Sequence, residues 1–192
     1  VDQSQQKYQL ILEINKLKLV LRNTMTTSDR NESTGEHSWS VSMIAIILMD
    51  ELKKEFAALD ELKIIKLCLI HDIVEIYAGD IMAFDIEARK NKEHDEINAL
   101  KKIMSLCPSF GSELHDLWFE FEKRETIEAK IAKAADAICP IFLRLQSRQS
   151  YIPFAISIED LEKTKLPSFN FSKTFSTMYQ QLKEDLINQK LI

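Results

Sequence analysis

Glycine and proline are scarce in this sequence, with three and four copies among 192 residues, and aromatic side chains make up only 8%. A turn-rich β-sandwich or barrel needs more chain-reversing residues than that, so long helices are expected instead. There is no glycine-rich phosphate loop, so a bound phosphate would have to be held by side chains or by a metal. Cysteine is sparse too. Cys68, Cys107 and Cys139 are far apart and form no C-x-x-C pair. Their apolar, helix-like surroundings predict buried free thiols, which suit a reducing cytoplasm. No run reaches the ~20 apolar residues of a membrane span. The longest candidate, 41–49, is interrupted by Ser42, and nothing reads as a signal peptide. An excess of positive charge is also missing. The net charge of −5 argues against a nucleic acid polymer as partner. It does not exclude a small anion, because a bound cation can invert the local field.

What is present fits a soluble globular protein, with 45% hydrophobic and 29% charged residues. One all-α domain over 1–192 is expected, with a core over about 10–150 and a helical extension over 151–192. Leu10, Ile11, Ile14, Leu17, Val20 and Leu21 recur at three and four residues, which predicts an amphipathic helix ending near Arg22 and Asn23. Residues 24–36 are polar and read as a loop of about a dozen residues, long for a compact helical domain. A second helix is expected from Glu36, with Val41, Ile44, Ala45 and Leu48 inward. Asp60 would cap a third over 61–77, ended by Gly79. A short connection is expected over 81–85, then a charged stretch over 86–106 with an apolar seam of Ile97, Leu100, Ile103 and Met104. Pro108 opens a break before a short helix over 113–123. Thr126 caps the next helix, which Pro140 should bend or interrupt. Two weaker helices separated by Pro167 complete the tail. Trp39 and Trp118 are expected in the core, and His94 and His115 on the surface.

The strongest local feature is His71-Asp72 near the end of an apolar helix, in K-L-C-L-I-H-D-I-V-E-I-Y-A-G-D. Glu75 and Asp80 follow within the same ten residues. Ionisable groups set among Leu, Ile and Val are costly to bury unless a cation compensates them. Imidazole with carboxylate suits Zn, Fe, Mn, Co or Ni better than calcium. Two other positions repeat the anomaly. His37 stands at the start of the second helix, and Asp136 lies among small and apolar residues in I-A-K-A-A-D-A-I-C. An arginine such as Arg144 or Arg22 could neutralise Asp136 instead of a metal.

Taken together these residues resemble the HD superfamily of metal-dependent phosphohydrolases, whose pattern is H…HD…D. Here it reads His37, His71-Asp72 and Asp136. The longer stretches L-R-N-T-M-T-T-S-D-R-N-E-S-T-G-E-H-S-W, H-D-I-V-E-I-Y-A-G-D and K-A-A-D-A are similar to the branch containing bacterial 5′-deoxynucleotidases. The likeness runs over residues 17–148. It implies an HD-domain helical bundle, one divalent ion (Mn, Co, Fe, Ni, Zn or Mg) on those four residues, a small phosphate ester such as a nucleotide as substrate, and a homodimer. It also implies that Glu75 handles the proton of the attacking water, that Asp80 approaches substrate or water, and that Arg22 and Lys133 meet phosphate. One departure limits it: the arginine-tryptophan pair that contacts substrate in the deoxynucleotidases is replaced by Leu17-Lys18-Leu19. A non-catalytic metal-containing sensing module and a two-metal oxygenase remain as rivals. The second would need ligands from His94 or His115.

Overall fold

The computed structural model describes residues 2–27, 29–82 and 87–192, the side chains of 88 and 89 excepted. It is an all-α bundle with one small hairpin. Ten helices are described: α1 (Gln3–Ile14), α2 (Thr34–Ile47), α3 (Met49–Glu55), α4 (Glu61–Ile70), α5 (Glu75–Ala78), α6 (Lys92–Leu106), α7 (Pro108–Lys123), α8 (Ile127–Ser147), α9 (Ile158–Lys165) and α10 (Lys173–Asn188). The hairpin pairs β1 (Leu21–Met25) with β2 (Asn31–Ser33) in antiparallel register, Leu21 opposite Ser33. No helix among the described residues is long and apolar enough to cross a membrane.

At the centre α2, α4 and α8 pack against one another pairwise. The alanines of α8 make this possible. Ala129, Ala132, Ala134 and Ala135 are fully buried, and their small side chains let the neighbouring backbones approach closely. Val41 and Ala45 of α2 and Ile64, Leu67 and Cys68 of α4 fill the contact. The C-terminal segment joins the same core through Leu161, Phe169, Phe175, Tyr179 and Leu186. A second cluster sits between α6, α7 and the end of α1, built on Leu100, Ile103, Leu114 and Trp118. All three cysteines are free and buried.

Several expected boundaries move. The first helix stops at Ile14, a 3₁₀ turn covers Asn15–Leu19, and Arg22 lies in a strand. Only its Leu10 and Leu17 are buried, while Ile11 and Leu21 are exposed. The expected loop over 24–36 is largely the hairpin and the first turn of α2. The third helix does not run unbroken to Tyr77. Beyond Ile70 the amides of Ile73 and Glu75 donate to the carbonyls of Ile70 and Asp72, a tighter winding in which the His-Asp pair sits. Gly79 ends this segment with φ +75°, a conformation that a side chain would strain. The break falls at Cys107 alone, and the helix expected from 113 already starts at Pro108, in whose first turn the missing N–H costs nothing. Pro140 lies inside α8, which continues through it to Ser147. Trp39 is 63% exposed, contrary to expectation, because α2 turns His37, Val41 and Ala45 inward. Trp118 is buried as expected. The connection expected over 81–85 and the start of the charged stretch lie partly outside the described residues.

A carboxylate on α3 caps the last helix across the fold. The Ser172 hydroxyl donates to one oxygen of Glu55 at 2.6 Å, and the amides of Lys173 and Thr174 donate to the other. Burial opposes ionisation of Glu55, but these donors outweigh it and hold its pKa below the ordinary value. A carboxylate with a depressed folded pKa stabilises above its unfolded pKa and loses that contribution as acid protonates it. Glu55→Gln should therefore cost about 1 kcal/mol at neutral pH. The difference from wild type should shrink in acid, as read by urea unfolding. Equal midpoints at neutral pH would count against the cap.

Candidate metal centre

Three helices each deliver part of one cluster. His37 lies in the first turn of α2, His71 caps α4 with Asp72 beside it, and Asp136 lies midway along α8. The start of α2 is fixed locally. The Ser33 hydroxyl accepts from the Glu36 amide and Glu36 accepts from the Ser33 amide, while Arg30 grips the Glu36 carboxylate through two nitrogens at 2.9 and 3.0 Å. This reciprocal cap ties hairpin to helix and sets His37 one residue beyond it.

The four donor atoms form a closed ring in which imidazole and carboxylate alternate. His37 Nε2 is 3.0 Å from Asp136 Oδ1, which is 3.7 Å from His71 Nε2. His71 Nε2 is 3.0 Å from Asp72 Oδ2, which is 3.7 Å from His37 Nε2. Bonds of about 2.1 Å to one ion place neighbouring donors about 3.0 Å apart in octahedral and about 3.4 Å apart in tetrahedral geometry. Each adjacent pair is spaced about as neighbours in a coordination shell are, and His37, His71 and Asp72 form a group compact enough to hold an ion.

Proton placement supports the same fit. His71 Nδ1 lies 2.8 Å from the Cys68 carbonyl, an acceptor only, so Nδ1 carries hydrogen and Nε2 faces the ring. His37 Nδ1 and Glu32 Oε2, 3.6 Å apart, are both buried without hydrogen-bond partners. A proton on Nδ1 would serve both and free Nε2 for a cation, the arrangement in which a carboxylate orients a ligating histidine. Glu32 thus enters the site unforeseen. It stands in a three-residue strand amid polar neighbours, and no periodicity marks it. Glu32, His37 and Cys139 also cluster closely enough to bind an ion. Burial pushes the Cys139 thiol far up, however, and a protonated thiol is a poor ligand.

Electrostatically the ring wants positive charge. Burial disfavours the His71 imidazolium, yet Asp72 and Asp136 outweigh it and raise its pKa to about 10. Burial and Arg22 instead lower His37 to about 4. Against burial, His71 and Arg22 hold Asp72 well below the usual carboxylate range, and Lys133, His37 and His71 do the same for Asp136. Beside the ring, burial and then Asp72 lift Glu75 to about 9, although Thr34 donates to it at 2.8 Å. Burial likewise raises Asp80.

The ring opens on a cleft of about 300 Å³ lined by Arg22, Asp80, Lys133, Tyr151 and Lys165 among others, a size at the lower end for small-molecule sites. Arg22 and Lys133 reach the cluster as ion-pair partners. Arg22 Nη1 meets Asp72 at 3.1 Å and Asp80 at 3.3 Å, and its Nε meets Glu32 at 3.4 Å. Lys133 donates to the second oxygen of Asp136 at 2.7 Å. Arg144 does not neutralise Asp136; it donates to the Ser150 carbonyl and lies over Tyr151. His94 and His115 are exposed and paired with adjacent aspartates, so neither approaches the ring as an oxygenase would require.

The family model for the HD domain matches residues 14–175. The chain belongs to the HD-domain family. Among HD-domain proteins and their relatives, human 5′-deoxynucleotidase HDDC2 is 31% identical over 116 residues, 60% of this chain and 53% of that protein. The chain thus spans about half the length of that relative. The 5′-deoxynucleotidase VV1113 of Vibrio vulnificus (strain YJ016) is 26% identical over 176 residues, 86% of this chain and 91% of that protein. In three dimensions the chain is similar to a predicted metal-dependent phosphohydrolase from Magnetospirillum magnetotacticum MS-1. The TM-score is 0.87 and the identity 30%, covering 97% of this chain and 94% of that one. Family and donor chemistry together support a divalent cation.

At neutral pH the metal-free His71 is charged, since its pKa is about 10. Coordination through Nε2 must displace that proton, so affinity rises with pH. Titrating manganese into metal-free protein in two buffers of different ionisation enthalpy should show release of at least one proton per ion at pH 7. Heats independent of the buffer would contradict the assignment of Nε2.

Proposed function

We propose that this HD-domain protein is a metal-dependent phosphohydrolase, a phosphomonoesterase acting on nucleoside 5′-monophosphates or similar small phosphate esters. His37, His71, Asp72 and Asp136 hold one divalent cation. The supporting observation is the ring of four donors, adjacent ones spaced 3.0 to 3.7 Å apart, beside a cleft whose lining includes Arg22, Lys133 and Lys165. The names of its relatives agree with this reading.

When bound, the ion supplies water of lowered pKa and offsets charge on the phosphoryl group. Glu75 accepts the proton of the attacking water. It is buried beside Asp72 and anchored by Thr34, and positive charge in the ring draws its raised pKa toward neutrality, where proton exchange is most effective. Arg22 has its Nη1 and Nε committed to carboxylates, which leaves the Nη2 edge to meet a phosphate oxygen. Lys133 keeps two ammonium protons beyond the one given to Asp136. Asp80, tied to Arg22, orients water or substrate on the far side of the guanidinium.

Asp72→Ala should lose both the ion and hydrolysis, measured by metal analysis and phosphate release from a panel of nucleoside monophosphates. Glu75→Gln should keep the ion and slow turnover by at least ~10²-fold. Full activity in Asp72→Ala, or wild-type turnover in Glu75→Gln, would refute these roles.

A second copy of the chain is the partner that best suits the outer face of α2. Trp39, Ile46 and Ile47 are 63%, 48% and 67% exposed, and their spacing places them on one stripe. Sedimentation should give a dimer for wild type and a monomer for Trp39→Glu. A monomeric wild type at micromolar concentration would end the proposal.

A further inference from the structure

Lys165, the last residue of α9, lines the same cleft as Asp72, Asp136, Arg22 and Lys133. It is half-buried. Of the other cations that line the cleft, Arg22 is committed to Glu32, Asp72 and Asp80, and Lys133 to Asp136, whereas Arg124 at the end of α7 has no ion pair among the described residues. Lys92 is held by Glu96. Arg144 is occupied by the Ser150 carbonyl and the faces of Tyr151 and Phe154. Among the described residues no carboxylate lies within ion-pair distance of the Lys165 ammonium, and no hydrogen-bond acceptor is recorded for it. An ammonium taken partly out of water without a partner is unfavourable, so its place in the cleft wall calls for a ligand of opposite charge.

Charge balance leads to the same ligand. A divalent cation in the ring would cancel Asp72 and Asp136, releasing Lys133 from sole duty to Asp136. Lys133 and Lys165 would then face the cleft as two cations, and a phosphate monoester near neutral pH carries up to two negative charges. From this, and resting on the phosphohydrolase reading above, we infer that Lys165 binds the phosphoryl group of the substrate, so that the C-terminal segment supplies part of the anion site. Burial, with Lys133 and Arg22 adding to it against the pull of Asp136, lowers the Lys165 pKa to about 8. It is therefore still charged at pH 7, and a bound dianion would stabilise that form. The position was not visible in sequence, because T-K-L-P in a polar tail reads as an exposed lysine.

The test uses metal-loaded full-length protein and inorganic phosphate as the probe. Lys165→Gln should weaken phosphate binding roughly 10- to 100-fold by calorimetry. It should raise KM for phosphate esters by a similar factor and leave metal content unchanged. Lys165→Arg should restore most of the affinity. Unaltered phosphate binding in Lys165→Gln would overturn the inference. So would loss of the ion in that variant without rescue by arginine, which would mark the residue as structural. A wild type that binds phosphate through Lys165 but hydrolyses no ester would support the inference while refuting the hydrolase reading, which keeps the two separable.

Discussion

Two imidazoles and two carboxylates share a space a few ångströms across at the meeting point of three helices, and most of the architecture follows from keeping them there. His37 and His71 are at most 2% exposed. Removing such groups from water is unfavourable unless opposite charges and hydrogen bonds replace the solvent. In the metal-free protein the replacement is partial: a proton on His71, the guanidinium of Arg22 and the ammonium of Lys133. His37 Nδ1 has no hydrogen-bond partner, and Glu32 Oε2 has only the ion pair with Arg22 Nε at 3.4 Å. A cation in the ring would complete the pairing that the protein groups leave unfinished.

The packing that confines these groups is simple in its physics. A helix rich in alanine offers little side-chain bulk, so α2 and α4 approach α8 closely and their polar ends converge on Asp136. The tighter winding after Ile70 then aims Asp72 and Glu75 at the same region, and Gly79 lets the chain leave abruptly. Pro140 has no N–H to offer the carbonyl of Asp136 four residues earlier, so α8 lacks that backbone hydrogen bond where it carries Asp136. Around the ring, neighbouring groups serve mainly to orient. The Cys68 backbone carbonyl fixes the tautomer of His71, Glu32 faces the far nitrogen of His37, and Thr34 holds Glu75.

The cleft mixes both signs of charge: Asp72, Glu75, Asp80 and Asp136 line it together with Arg22, Lys133 and Lys165. Arg22 is bound to three carboxylates yet presents an edge to the opening. The carboxylates come from the segment after α4 and from α8, while α9 adds the lysine Lys165. The C-terminal segment shares the central hydrophobic core, so its lysine is held by the same packing that holds the ring.

The helical class, the capping residues Asp60 and Thr126, the buried cysteines and the family were all legible in sequence, because they depend on local chemistry and on residue types at recognisable spacing. The H…HD…D pattern singles out four residues that the structure gathers into one ring. The hairpin escaped notice for a physical reason. Its inward residues, Arg22, Thr24 and Glu32, are polar because the surface they face is a charged site, while Leu21 points to solvent, so the usual alternation is inverted. Trp39 was misplaced because an aromatic on a helix says nothing by itself about which face is buried. The break at 71–74, the partnership of Glu32 with His37, and the arrival of Lys165 in the cleft were decided only by tertiary structure. Each is set by contacts between segments remote in sequence, and burial and pairing at that range leave no periodic trace along the chain.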